Sequence, residues 1–325
     1  MNTLLGQLVF AFVTVCLTAA NVNAANQYPY KPVRLILPGP PGGGADQLAR
    51  VLGQRLTTDL GQTFVIDYRP GAGGMLGMDL AAKSAPDGYT IVMGNSGPNA
   101  VIPNLVKKVP YDPVKDLSPI SLVASAANLL VVHPSVQANS VSELVQLAKS
   151  KPGQLTYASG GNGQSGHLAA ELFKLIAGIN MIHVAYKGSG PAIFDLVGGR
   201  VDMMFSNIPS LMPQMNAGKL KALAVTSSSR SKLVPNVPTM AESGAQGYES
   251  TQWYGLLAPA KAPNAILSLL SSKVTVAVKS EEINSVLFKQ GFDPIGSTQV
   301  EFRDYIQKEL AKWKKVIEAG KISAE

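Results

Sequence analysis

Gly161-x-Gly163-x-x-Gly166 is the spacing in this chain that most invites a chemical reading. It sits in SGGNGQSGH (159–167), between the strand-like LTYA and a run of helical periodicity over 167–177. Glycines let backbone N–H groups approach an anion closely, and a helix start adds unpaired donors and the positive end of its dipole. A second unit of this kind is PGPPGGGAD (38–46), where Gly42, Gly43 and Gly44 lead into another helical run. One such loop can be an ordinary tight turn. Two, each after a strand and before a helix, point to binding.

The chemistry these loops could serve narrows quickly. A dinucleotide needs an acid about 20 positions on to hold the ribose. No Asp or Glu lies between Glu171 and Asp195. No G-x-x-x-x-G-K-[ST] is present, so the phosphate loop of nucleotide hydrolases is absent. Gly163-Gln164-Ser165-Gly166-His167 has His where a nucleophile elbow needs its second glycine, and Ser165 and His167 have no evident acidic partner.

The three histidines, His133, His167 and His183, are neither at helical spacing nor clustered with carboxylates in sequence. His133 and His183 read as structural, whereas His167 is a candidate wall of a ligand site. Loops 38–46, 94–99 and 159–167 contain no Lys or Arg, and Asp46 is their only formal charge. Asp46 suits a loop-organising role at a helix start better than contact with an anion. A neutral site without an acid–base pair or metal ligands suits reversible binding, not catalysis. No cofactor and no metal are expected.

Positioning these loops requires strand–helix alternation. VRLIL (33–37), FVI (64–66), YTIVM (89–93), LLVV (129–132), 155–158, 181–184, 201–205 and 220–225 read as strands. Helical periodicity covers 45–60, 76–84, 141–150, 167–177 and 192–197. Ser140-x-x-Glu143 is a capping box for one helix, and Pro191 suits the first turn of another. Such alternation implies mainly parallel sheets covered by helices, with ligands beyond the carboxyl ends of the strands.

With 325 residues, the chain is long enough for two domains. Residues 1–24 carry no Lys, Arg, Asp or Glu, and Val22-Asn23-Ala24 offers a cleavage site. We read them as a signal peptide rather than a buried helix, which makes the protein exported and periplasmic. Cys16, the one cysteine, falls inside this segment. Disulfides, Cys-ligated zinc and a cysteine nucleophile are then excluded from the remainder. The net charge of +7 is scattered, with no basic run interleaved with aromatics, so nucleic acid is not an expected partner.

Several longer stretches together carry a more specific signal. They include YPYKPVRLILPGPPGGGADQLAR, VIDYRPGAGGMLGMDLAAKSAPDGYTI, YDPVKDLSPISLVA, LTYASGGNGQSGHLAAELFK, VAYKGSGPAIFDLVGGRVDMMFSNIPS, GKLKALAVTSSSRS and WYGLLAPAKAP. In this order they resemble the periplasmic solute receptors of tripartite tricarboxylate transporters, the TctC-like or Bug family. The resemblance implies an α/β, type II periplasmic-binding-protein fold: two mainly parallel-sheet domains with a hinge and a central ligand cleft. It places domain 1 at 25–124 plus 250–325 and domain 2 at 125–249, with a C-terminal helix over 298–319 packed on domain 1.

The resemblance also implies a binding site. Pro38, Gly42, Gly43, Gly44 and Asp46 of one loop would face Ser159, Gly160, Gly161, Asn162, Gly163, Ser165 and His167 of the other. Asn95, Ser96, Tyr186, Ser206 and Asn207 would form the side walls. Many relatives carry Asp where this chain has Ser206, which argues against an amino-acid ligand here. The expected role is capture of a small mono- or dicarboxylate by a monomeric receptor that serves membrane transporter subunits. An orphan receptor signalling to a sensor kinase, an exported hydrolase or dehydrogenase, and an envelope protein with a vestigial cleft are the alternatives.

Overall fold

The computed structural model describes residues 28–162, 164–320 and 322. The expected signal peptide with Cys16, and Gly163, lie outside these described residues. The first elements are β1 (Val33–Leu37), α1 (Gly44–Leu60), β2 (Phe64–Tyr68), α2 (Met75–Ala82) and β3 (Thr90–Asn95). A π-helical turn over Gly97–Val101 then runs into the short α3 (Ile102–Leu105) and the long β4 (Leu117–Val132). Next come α4 (Val141–Ser150), β5 (Thr156–Ser159), α5 (Ser165–Ala177), β6 (Ile182–Ala185), α6 (Ser189–Val197), β7 (Met203–Asn207), α7 (Ile208–Asn216) and β8 (Lys221–Val225). The last are β9 (Thr251–Pro259), α8 (Asn264–Lys279), α9 (Glu281–Lys289), β10 (Asp293–Pro294) and α10 (Gln299–Gly320).

Local chemistry sets these boundaries. In α1, Leu48, Ala49, Leu52 and Leu56 share one buried face, as their spacing requires. The helix stops at Gly61, whose φ of 70° is left-handed and whose N–H caps Thr57 O. The α4 capping box forms in modified shape. Ser140 Oγ accepts from the Glu143 N–H, while Glu143 Oε2 accepts from the Asn139 N–H, one residue earlier than the usual return bond.

The strands run in the order β2-β1-β3-β9-β4-β7-β5-β6, with β8 and β10 also paired to β4. The outer pairs β1–β2, β1–β3, β5–β6 and β5–β7 are parallel, as strand–helix alternation predicts. The central pairs β3–β9, β4–β9 and β4–β7 are antiparallel. This mixture arises because β4 and β9 lie outside the βαβ units and run antiparallel to the strands on either side. From Leu117 to Ala127 β4 pairs with β9; from Asn128 it pairs with β7, and from Leu129 with β8 as well. Sequence reading recovers only its last four residues, because Pro119 looks like a strand breaker. The register shifts between Pro119 and Ser121, so the proline is tolerated beside a bulge.

Three apolar cores hold the layers. One packs Leu35, Leu48, Leu52 and Ile91 against Ile266, Leu270 and Val274 of α8. A second joins Phe173, Phe205 and Tyr248 with Trp253, Phe302 and Trp313. A third gathers Leu129, Val131, Leu196, Leu211 and Val225. The C-terminal helix α10 packs on β4 and the π-helical turn, and it also reaches α5. Among the described residues no helix is long and apolar enough to cross a membrane.

Candidate functional site

The carboxyl end of β3 builds one wall of a cavity. A Cβ on Gly94 would sit 2.5 Å from both Asn99 Oδ1 and Leu257 Cδ1, so only glycine admits this packing. Asn99 Oδ1 accepts from the Asn95 N–H at 3.1 Å, and Asn95 Oδ1 accepts from the Gly97 N–H at 3.0 Å. The Asn95 side-chain oxygen is thus committed to the backbone, while its amide N–H groups remain for the cavity. Ser96 Oγ donates to Gln252 Oε1 at 2.6 Å, which fixes the β9 side chain the same way round. Tyr254 lies opposite Asn95 in the β3–β9 register. Burial pushes its phenol up to about 12, so it stays a neutral donor.

The facing wall comes from the start of α5. Its N-cap, Gln164, makes no side-chain cap hydrogen bond. The Gln164 side chain thus leaves the start of the helix, with its dipole potential, facing the cavity at Ser165. A Cβ on Gly166 would approach Phe205 O to 2.3 Å, so α5 lies directly on the β7 backbone. The loop before it contains Gly161 at φ 142°, a conformation side chains disfavour.

Between these walls lies a cavity of about 680 Å³. Its polar lining is Asn95, Ser96, Gly97, Asn162, Gln164, Ser165, Gln252 and Tyr254, and its apolar lining includes Met75, Val101, Ile102 and Leu168. Among the described residues no Lys, Arg, His, Asp or Glu lines it. The volume is that of a small-molecule site. Its donors are neutral amides, hydroxyls and backbone N–H groups, a set that can hold an anion without transferring a proton. Among the described residues no cluster of His, Cys, Asp or Glu could hold a metal.

Of the residues expected at the site, the cavity brings together Asn95, Ser96, Asn162 and Ser165. Pro38, Gly42, Gly43, Gly44 and Asp46 are not among its lining residues. Gly44 still touches it indirectly: a Cβ there would meet Tyr254 Oη at 2.5 Å. Asp46 serves its own loop and helix, accepting from the Gly42 N–H at 2.8 Å, from Tyr68 at 2.7 Å and from Arg50 at 2.9 Å. Burial raises its pKa, but these donors outweigh that effect and hold the carboxyl below its ordinary value.

Other expected residues turn elsewhere. Ser159 is buried and bonds His183 Nε2 at 2.6 Å, and with Gly160 and Gly161 it shapes the loop that carries Asn162. Tyr186 donates to Asp195 at 2.8 Å. Ser206 is buried on β7, and Asn207 is occupied as the N-cap of α7, accepting from the Ser210 N–H.

The histidines require a correction. His167 and His183, far apart in sequence, stack at 4.1 Å with planes 7° apart, and Tyr157 stacks on His183 at 4.7 Å. Glu171 belongs to the same group, accepting from Tyr157 at 2.5 Å and from Lys174 at 2.7 Å. The parallel β5–β6 register sets Tyr157 beside His183, and α5 lays His167 over them. Burial, reinforced by neighbouring His183, lowers the His167 pKa to about 4, and burial lowers that of His183. Both rings are therefore neutral at pH 7.

Gln252, Tyr254, Gln164 and the apolar group around Ile102 line the cavity and were not among the residues expected from sequence. The signal for Gln252 and Tyr254 was their place in a crossing strand. For the 98–106 run it was the continuation of a binding loop into apolar residues.

A family model described as "Tripartite tricarboxylate transporter family receptor" matches residues 48–322. Protein BugT of Bordetella pertussis is 38% identical over 307 residues, covering 94% of each chain. The solved structure of R. palustris Rpa4515 with adipate is 36% identical, with a TM-score of 0.78 over 91% of this chain and 99% of that one. MatC (Rpa3494) from Rhodopseudomonas palustris, with bound malate, is 30% identical, with a TM-score of 0.74 over 89% of this chain and 100% of that one.

Proposed function

The chain belongs to the tripartite tricarboxylate transporter receptor family, and from that premise we propose that it captures a small organic carboxylate for a membrane transporter. The ligand class rests on the 680 Å³ cavity, whose described lining consists of apolar groups and neutral donors and includes no Lys, Arg, His, Asp or Glu. A carboxylate needs several N–H or O–H donors, and charge-assisted bonds to neutral groups suffice when they converge. Asn95, Gln252, Tyr254 and the α5 start supply such donors from two sides. The solved relatives with adipate and malate support the same class.

In this reading the protein is a receptor and not an enzyme. It works in the periplasm, with residues 1–24 as its export signal. Residues 25–124 plus 250–325 form one domain and 125–249 the other, and β4 and β9 carry the chain between them. A hinge across these strands would close the domains on the ligand. The loop Pro38–Asp46 then acts through Tyr254, against which Gly44 packs.

The test is a thermal-shift screen against mono-, di- and tricarboxylates, with nucleotides as controls. A ligand that binds the folded state raises the melting temperature by linkage. Stabilisation by at least one small carboxylate is the expected result. Stabilisation by a nucleotide and by no carboxylate would overturn the proposal.

A further inference from the structure

The cavity lining comprises two chemically different sets of residues, one polar and one aliphatic. Met75, Val101, Ile102, Leu105, Val106 and Leu168 supply aliphatic surface with no polar group able to pair a hydroxyl or a second charge. Met75, Ile102, Leu105 and Val106 are only half-buried; Met75 and Leu105 pack partly on the core, and each keeps some apolar surface outside it. The shape of the chain forces them there. The π-helical turn Gly97–Val101 and α3 are held against α10 by Asn104 Nδ2, which donates to Ala100 O at 2.8 Å and Leu310 O at 3.0 Å. That anchoring points the polar face of this segment away and leaves its aliphatic side chains on the cavity.

A half-exposed aliphatic wall beside a polar anion cradle is costly to maintain against water, and an apolar ligand body would cover it. A hydroxylated body would leave its hydroxyl without a partner on that wall. We infer that the ligand is an organic acid whose carboxylate lies at the Asn95–Gln252 end and whose remaining body is an unsubstituted hydrocarbon chain or ring against the aliphatic wall. This deepens the carboxylate reading above and rests on it. In this respect the ligand is unlike a short hydroxylated acid such as malate.

The experiment is calorimetric titration of the full exported protein with butanoate, hexanoate, octanoate, malate and hexanamide. The expected result is a Kd that falls about fourfold per added methylene from butanoate to hexanoate, the gain from burying each CH₂. Malate binds more weakly than hexanoate, and hexanamide also binds more weakly. In Leu105→Asn and Ile102→Asn the dependence on chain length flattens, with far-UV circular dichroism and a cooperative melt showing that the variants are folded. Affinity independent of chain length, or malate binding tighter than hexanoate, overturns this inference and leaves the carboxylate receptor standing. Hexanamide binding as tightly as hexanoate removes the carboxylate reading and retains the aliphatic wall. Binding of none of the five overturns both.

Discussion

Ser96 Oγ and Gln252 Oε1, 156 residues apart in sequence, are joined by a 2.6 Å hydrogen bond at the wall of the cavity. The bond ties the residue just beyond β3 to β9, and it determines which end of the Gln252 amide faces the cavity. With the oxygen occupied, the N–H groups are the ones available to an anion.

Gln252→Ala is therefore expected to weaken carboxylate binding by about 10- to 100-fold, the loss of one hydrogen bond to a charged group. Gln252→Glu should weaken it further, because a carboxylate would then face a carboxylate. Calorimetry with any acid that stabilises the wild type checks both. An affinity within twofold of wild type in Gln252→Glu would contradict the donor assignment.

Glu309 supports this strand from behind. Its Oε2 accepts from Trp253 Nε1 at 3.2 Å and from Trp313 Nε1 at 3.1 Å, all within the core. Glu309→Ala would strand two buried indole donors and cost roughly 2–5 kcal/mol, while Glu309→Gln keeps an acceptor and costs less. These are the chain's two tryptophans, so selectively excited tryptophan emission reports this contact. Urea unfolding should show the order wild type, Gln, Ala, with red-shifted emission in Ala. Equal midpoints for the three proteins would show that the contact is not structural.

The His167–His183 stack predicts an acid dependence. The His167 pKa is lowered from 6.5 to about 4 by burial, so the unfolded chain takes up this proton before the folded one does. Stability is then lost as pH falls from about 6.5 towards about 4, at up to about 1.4 kcal/mol per pH unit for this group. His167→Gln should lose less stability than wild type between pH 7 and pH 5. Urea titrations at each pH check this, and parallel slopes for the two proteins would refute it.

Asp46 predicts dependence at lower pH. Its carboxyl is buried, yet donors hold its pKa below the ordinary 3.8. A lowered carboxyl stabilises the fold above its unfolded pKa, and that stability is lost as pH falls through the folded value. Asp46→Asn should melt a few degrees below wild type at pH 7, and the gap should close on acidification towards pH 3. A gap that does not change with pH would show that the charge contributes nothing.

The sequence made legible what depends on local pattern. The α1 face, the α4 cap and both glycine loops are visible because spacing and turn chemistry act within a few residues. What depends on long-range pairing was hidden. Most of β4 is masked by Pro119, whose strand position is rescued by a bulge against β9. Gln252 carries no motif, and its role comes from a partner 156 positions away. The His167–His183 contact exists only because β5 and β6 are neighbours. Asn207, read as a wall of the site, is instead taken up by capping α7, since an Asn before a helix serves its own backbone first.

A crystal structure of the protein with its tightest-binding acid shows whether neutral donors from both walls of this cavity hold the carboxylate. The expected result is carboxylate oxygens within hydrogen-bond reach of the Asn95 and Gln252 amides and of the start of α5 at Ser165. A carboxylate paired to a Lys or Arg outside the cavity, with these donors left on water, would contradict it.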